Sequence, residues 1–331
     1  MFKLVTDGRF YERLAKNARR LHNAGRMNWK KPGTERGHNM HLPSISIMTP
    51  SYFADLRRCE LLCESIDLFV SGYDYHYIVV GDEDLELFQH LDDSKRKVVA
   101  SSALLPKLLP VMKWRGRQYW WSPQVRIPIY GWHLQQLRKF ALTRAQDSDR
   151  VIFTDSDCVF CSPIDLRDYA AQVTSPLFMT PGHVNDLRPD HVRWWRNAHK
   201  CLGYTEHELP GDDFIGPLVV WEKETVTSLM KRIEKVCGCA WWLALARQRQ
   251  FSEYTIYGIA VVNEPELSIR HEFVTDNHCL TYWDGKHLDR EGLSSFLMDL
   301  KPHHFAVTIQ SHTGTPIDLI REIVLDRMKA A

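Results

Sequence analysis

Residues 151–160, VIFTDSDCVF, set two carboxylates two positions apart at the end of an apolar run. The run 150–154 has the apolar, β-branched and aromatic character of a buried strand, so Asp155 and Asp157 stand where that strand ends. Side chains at i and i+2 of an extended chain leave the same side of the backbone. Both carboxylates can therefore reach one divalent cation, directly or through water. Mg²⁺ and Mn²⁺ favour such oxygen ligands and keep positions open for phosphate oxygens. Without a cation, two adjacent acids repel each other. The competing reading is turn chemistry, since Asp often caps a turn, although Ser162, Pro163, Ile164 and Asp165 offer capping residues of their own.

The elements that must position this pair follow from periodicity. From residue 44 onward short apolar runs alternate with amphipathic stretches: strands are predicted at 44–49, 75–80, 98–101 and 150–154, and helices at 53–69 and 131–145. An aromatic-rich loop is predicted between 101 and 130. The second half predicts strands at 177–180, 214–221, 269–274 and 305–310, a helix at 223–236, and short helices at 240–248 and 253–262. This pattern implies an α/β fold, a mixed but mostly parallel sheet flanked by helices, and ligands of such sheets bind at the carboxyl edge of the strands.

Composition bounds the partners. The 331 residues, 44% hydrophobic and 25% charged, carry 42 Lys and Arg against 41 Asp and Glu, so a disordered chain is excluded and no global field attracts nucleic acid. The charge is uneven: residues 1–43 hold ten basic and three acidic residues, a net +7, which leaves −6 for the remainder. Phe10, Leu14, Ala18 and Leu21 share one helical face there, with a basic face opposite. Residues 1–43 are thus expected to form a basic amphipathic arm ahead of one domain at 44–331. The arm either packs its short stripe on that domain or lies on an anionic membrane as a peripheral contact. No apolar run is long enough to span a membrane, and MFKLVTDGRFYERL lacks the apolar segment of an export signal. A cytoplasmic location is expected. Eight cysteines suit free thiols rather than a disulfide scaffold, and Cys158 and Cys161 form only a lone knuckle, too little for structural zinc.

The Asp155-Ser156-Asp157 stretch resembles the Asp-x-Asp signature of nucleotide-sugar-dependent glycosyltransferases of the GT-A type. The likeness extends to an opening strand at 45–49, a helix at 132–145 and the strand that delivers the acids. More narrowly, GWHLQQLRKFAL at 131–142, TDSD at 154–157, FSEYTIYG at 251–258 and IQS at 309–311 resemble a group of uncharacterised bacterial proteins with a GT-A-like core. The resemblance covers roughly residues 44–312.

It implies a GT-A-like, Rossmann-like fold, a nucleotide-diphosphate sugar donor, a Mn²⁺ or Mg²⁺ cofactor and a glycan or lipid-linked acceptor, as in polysaccharide biosynthesis. The nucleotide would lie against Thr49, Ser51, Tyr52 and Asp82, with Asp155 and Ser156 nearby. Gln135, Gln136 and Lys139 share a helix face, where Lys139 can meet a phosphate or else simply face solvent. Such enzymes often complete the metal shell with a His from the C-terminal part of the chain. His312 is the candidate beside Asp155 and Asp157, with His303 and His304 as substitutes. The His-x-x-Gly-x-x-Lys-Pro-Trp arrangement of one retaining subgroup is absent, because Thr313, Gly314, Thr315 and Pro316 follow His312. An inverting reaction needs a carboxylate base at the acceptor hydroxyl. Glu253 is the first candidate, and Asp212 and Asp213 are the others. The pairs Trp120-Trp121, Trp194-Trp195 and Trp241-Trp242 supply aromatic faces for sugars or for the core.

Two rival readings remain open on sequence. Haloacid-dehalogenase phosphatases also end a strand in Asp-x-Asp, which would make Asp155 a phosphoryl-accepting nucleophile with Asp157 as acid, and Asp212-Asp213 as the later acidic motif. That fold begins with its Asp-x-Asp strand, whereas a β-α-β-β-α unit is predicted ahead of this one. The third reading is a sugar- or nucleotide-binding protein without turnover.

Overall fold

A computed structural model describes residues 42–326, apart from 107, 115–116, 126–127, 171, 207 and 249. The basic arm expected at 1–43 lies outside the described residues save for its last two positions.

The elements that build the candidate site are the strands β1 (Ile45–Pro50), β2 (His76–Val80), β3 (Arg96–Ala100), β4 (Arg150–Phe153), β5 (Cys158–Phe160), β6 (Thr180–Val184), β7 (Gly211–Asp213), β8 (Val219–Glu222), β9 (Cys279–Tyr282) and β10 (Ala306–Ile309). With them come the helices α1 (Leu56–Phe69), α2 (Gly131–Ala145), α3 (Pro189–Leu202), α4 (Lys223–Cys237), α5 (Trp241–Arg247) and α6 (Glu253–Asn263). The central sheet runs β8-β4-β1-β2-β3, parallel except for β8, which is antiparallel to β4. The mixed, mostly parallel α/β architecture read from the sequence is the one observed.

Every residue of β1 is buried, as a central parallel strand covered on both faces requires. Alternation sorts the two faces. Ile45, Ile47, Ile152 and Val220 meet Leu62 and Ile66 of α1. Met48, Val151, Phe153 and Trp221 instead join Leu137 and Phe140 of α2 and Tyr257 of α6. Trp221 is the hinge of that second layer, stacked on Tyr257 with ring centroids 4.9 Å apart and packed against Phe140 and Phe153.

Immediately after β4 the chain turns through Asp155-Ser156-Asp157 into β5, which enters a second sheet ordered β9-β10-β5. The two aspartates thus sit at the junction of two sheets. All eight cysteines are free.

Three expectations need correction. The strand predicted at 214–221 is only β8, because Gly216-Pro217 interrupts it and Pro cannot donate to a ladder; β7 forms separately and pairs with β6. The loop predicted between 101 and 130 contains an antiparallel hairpin, Leu109–Trp114 with Arg117–Trp121, joined by Ile129–Tyr130. The helix predicted at 53–69 begins with a 3₁₀ turn at Phe53–Asp55 before α1. Helix α3 escaped the sequence reading altogether.

Candidate functional site

The end of β4 is fixed by its partner strand, as the Thr154 amide donates to the Met48 carbonyl at 3.1 Å and the Cys158 amide closes a turn on the Asp155 carbonyl at 3.1 Å. Both aspartate side chains are engaged across the fold rather than with their own turn, which disfavours the capping reading. Asp157 Oδ2 accepts from the Ser311 amide at 2.9 Å. Its Oδ1 is buried and has no hydrogen-bond partner among the described residues. Burial, then the charges of Asp155 and Asp55, push the Asp157 carboxyl up to about 7. Asp155 is 43% exposed, with Oδ1 3.5 Å from Gln135 Nε2 and 3.7 Å from Lys139 Nζ.

A third acid, Asp55, was missed in the sequence. The Ser156 hydroxyl donates to Asp55 Oδ2 at 3.4 Å, and burial raises the Asp55 carboxyl against the opposing charge of Arg58. Its signal was there to be found: Asp55 directly precedes α1, whose N-terminus faces the end of β4. Arg58, buried in α1, donates to the Ile309 and Thr315 carbonyls and so anchors the loop that presents the Ser311 amide.

The α2 face gathers three predicted residues. Gln135 reaches Asp155, and Gln136 Oε1 accepts from the Glu253 amide at 3.0 Å. Lys139 donates to Glu253 Oε1 at 2.9 Å and to the Tyr254 hydroxyl at 2.7 Å. Burial works against the charge on Lys139, but Glu253, Tyr254 and Asp155 outweigh it and hold the ammonium well above its ordinary range. The solvent-facing alternative for this helix face is overturned, since Gln136 and Lys139 are buried. Glu253 is buried too, so its carboxylate pairs with Lys139 instead of standing open to an acceptor hydroxyl.

The predicted nucleotide edge divides. Thr49 is fully buried and its hydroxyl is bound to His76 Nε2 at 2.9 Å, so that side chain is withdrawn from the edge. Ser51 is buried, while Tyr52 is half-exposed. Burial, with the neighbouring charges of Asp55 and Asp157, raises the Tyr52 hydroxyl. Asp82 accepts from the Ser102 amide at 3.2 Å and from the Ser102 hydroxyl. It lines a small pocket at the carboxyl ends of β2 and β3, with Gly81, Ser101, Leu105, Trp120 and Arg138. Arg138, also missed in the sequence, is buried there; burial pulls it down to about 10 despite the nearby acids Glu83, Asp84 and Asp82. Its position three residues after Gln135 was the available signal.

Asp212 and Asp213 belong to a different part of the edge. Asp212 Oδ1 accepts from the Gly182 amide at 3.1 Å. Asp213 Oδ2 lies 2.7 Å from His191 Nδ1 and 3.4 Å from His183 Nδ1. Burial alone would raise the Asp213 carboxyl, but its bonds to His191, the Ile215 amide and His183 hold it below the ordinary value. The phosphatase scheme needs these acids beside Asp155; they pair instead with β6, where Asp213 stands opposite Thr180.

The metal shell expected from Asp155, Asp157 and His312 is not preassembled. Among the described residues no three His, Cys, Asp or Glu side chains converge to hold a metal ion. His312 sits exposed on the turn Ser311–Thr313, next to the Ser311 amide that binds Asp157. The substitutes lie elsewhere: the His304 ring packs on His303 at 4.6 Å, and the His303 carbonyl accepts from His278. No helix among the described residues is long and apolar enough to cross a membrane.

A family model described as a family of unknown function, DUF6492, matches residues 42–329. No curated protein matches the sequence. Among solved structures, the apo crystal structure of mouse xyloside xylosyltransferase 1 is similar at 10% identity and a TM-score of 0.42, over 82% of this chain and 100% of that one.

Proposed function

The chain belongs to DUF6492, a family of unknown function, and we propose that it is a GT-A-like glycosyltransferase that takes a nucleotide-diphosphate sugar as donor with Mn²⁺ or Mg²⁺ as cofactor. The observation that carries this reading is Asp157 Oδ1, a buried carboxylate oxygen without a partner among the described residues, beside a second, half-exposed carboxylate at the carboxyl edge of a parallel sheet. Buried polar atoms are nearly always satisfied, and an oxygen left over between two acids suits a hard cation. The residues present therefore fit the group: Asp155 and Asp157 would hold it, with Asp55 close by. When bound, the cation supplies positive charge to the departing nucleoside diphosphate.

The chain's own residues prepare that edge. The Ser311 amide orients Asp157, while Gln135 and Lys139 orient Asp155. Glu253 balances Lys139, so the ammonium is shared between two carboxylates rather than free to bind phosphate alone. Asp82 and Arg138 offer an acceptor and a donor for a base or ribose at the ends of β2 and β3, and β1 lies between them and the Asp155 edge. In this reading the donor spans the carboxyl ends of β2, β1 and β4.

The test is thermal stability of the protein with UDP, GDP, CMP and their common sugar conjugates, each with and without Mn²⁺, for the wild type and Asp157→Ala. A ligand that binds only the native state raises the melting temperature. A Mn²⁺-dependent rise with one nucleotide, absent in Asp157→Ala and accompanied by slow donor hydrolysis, supports the transferase. Binding without hydrolysis or transfer to any acceptor would make it a binding protein, and phosphatase activity lost in Asp155→Asn would make it a phosphohydrolase.

A further inference from the structure

We propose that His191, positioned by Asp213, forms with the adjoining indoles of Trp194 and Trp132 a binding subsite for a neutral oligosaccharide, the acceptor in the transferase reading on which that role rests.

The subsite is built from three separated segments. Asp213 is 5% exposed at the end of β7, and one of its oxygens is 2.7 Å from His191 Nδ1. The Ile215 amide donates to the other oxygen at 3.2 Å. A carboxylate only accepts, so Nδ1 of His191 carries the proton, and Nε2 on the far side of the ring is the atom left to meet a ligand hydroxyl. His191 and His183 are 22% and 38% exposed, so the carboxylate is buried while the rings it holds reach solvent. The His191 ring lies 4.8 Å from the Trp194 ring, which lies 5.4 Å from the Trp132 ring, tilted by 36°. Both indoles are partly exposed.

This combination selects a chemistry. A pyranose offers a face of C–H groups to an aromatic ring and a rim of hydroxyls to polar groups. The buried carboxylate of Asp213 beside the ring works against a phosphate or carboxylate ligand here. An oriented imidazole beside two indoles therefore suits a neutral sugar ring, whose hydroxyls can both donate and accept. The link to the Asp155 edge is α2 itself: Gln135, one helical turn after Trp132, reaches Asp155 Oδ1 at 3.5 Å. A sugar that reaches from His191 to Trp132 thus comes within a helical turn of the residue that faces Asp155.

Saturation-transfer NMR on the full chain tests this, with cellotriose, xylotriose, maltotriose and triacetylchitotriose as probes. The expected result is transfer to at least one probe by the wild type. Affinity should fall about tenfold or more in His191→Ala and in Trp132→Ala. If either variant melts well below the wild type, His191→Gln and Trp132→Phe replace them. No transfer by the wild type to any probe, or transfer unchanged in both subsite variants, overturns the proposal. Failure of the transferase reading looks different: oligosaccharide binding that depends on His191 and Trp132 in a protein that neither binds nor cleaves any nucleotide sugar.

Discussion

Lys139 Nζ lies 2.9 Å from Glu253 Oε1, and these side chains, 3% and 5% exposed, close a buried ion pair between α2 and α6. The same ammonium is 3.7 Å from Asp155. The packing of two helices is therefore tied to the orientation of the carboxylate on which the proposed chemistry depends.

Breaking this pair from one side leaves a buried charge without compensation, which typically costs about 3–5 kcal/mol. Lys139→Met is expected to lose about that much stability in urea denaturation, and Glu253→Gln less, since its amide can still accept from Lys139. The double variant Lys139→Met/Glu253→Gln should regain most of the loss, because a removed pair is far cheaper than an orphaned partner. Additive losses in the double variant would show that the two residues do not act as a pair.

The raised Asp157 carboxyl sets a pH dependence of opposite sign to an ordinary surface acid. Its folded-state value of about 7 lies above that of the unfolded chain, so the folded protein holds the proton more tightly. Its stabilising contribution is complete below the unfolded value near 3.9 and is lost as pH rises through about 7. Asp157→Asn should thus raise the melting temperature of the metal-free protein at pH 8 and change it little at pH 4. Mn²⁺ should stabilise the wild type more at pH 8 than at pH 6, since the cation competes with that proton. Equal Mn²⁺ stabilisation at both pH values would argue against Asp157 as a ligand.

What the sequence disclosed and what it hid have physical reasons. Strands β1, β2 and β4 were legible because buried parallel strands read as apolar runs, and α2 because Leu134, Leu137, Phe140 and Ala141 recur at helical spacing. The pair Asp155 and Asp157 was legible because it follows such a strand directly. Glu253 was misread because its first-turn position gave no sign of Lys139, 114 residues away. Asp55, Arg138 and His191 were hidden for the same reason, each meaningful only beside residues distant in sequence. Helix α3 was passed over although Val192, Trp195, Ala198 and Leu202 bury one stripe of it, because its aromatic and histidine content masks the amphipathic spacing.

Gly258 in α6 is required by Phe214. A Cβ built there would lie 2.1 Å from the Phe214 Cγ, closer than any real contact. Overpacking a core usually costs about 1–3 kcal/mol, and a ring that is itself fully buried has little room to yield. Gly258→Ala should reach or exceed the top of that range in chemical denaturation. Because Phe214 follows Asp213, the variant should also weaken oligosaccharide binding. Phe214→Leu added to Gly258→Ala should recover part of the stability, and no recovery would locate the strain elsewhere.

In the proposed reading, the Asp155 edge and the pocket at Asp82 and Arg138 should separate kinetically. Asp155 is next to the reacting phosphates in the proposed reading, so Asp155→Asn should lower kcat for donor hydrolysis by about 100-fold or more, the scale of losing one charge-stabilising group. Arg138 lines the small pocket at the ends of β2 and β3 with Asp82, two strands from β4. Arg138→Met should raise KM for the donor by about tenfold while leaving kcat within about twofold, the signature of lost uniform binding. Melting curves must first show both variants folded, which the buried position of Arg138 makes the stricter demand. A kcat effect of Arg138→Met as large as that of Asp155→Asn would place the reacting phosphates at the β2 and β3 ends rather than at β4, and would move the catalytic edge by two strands.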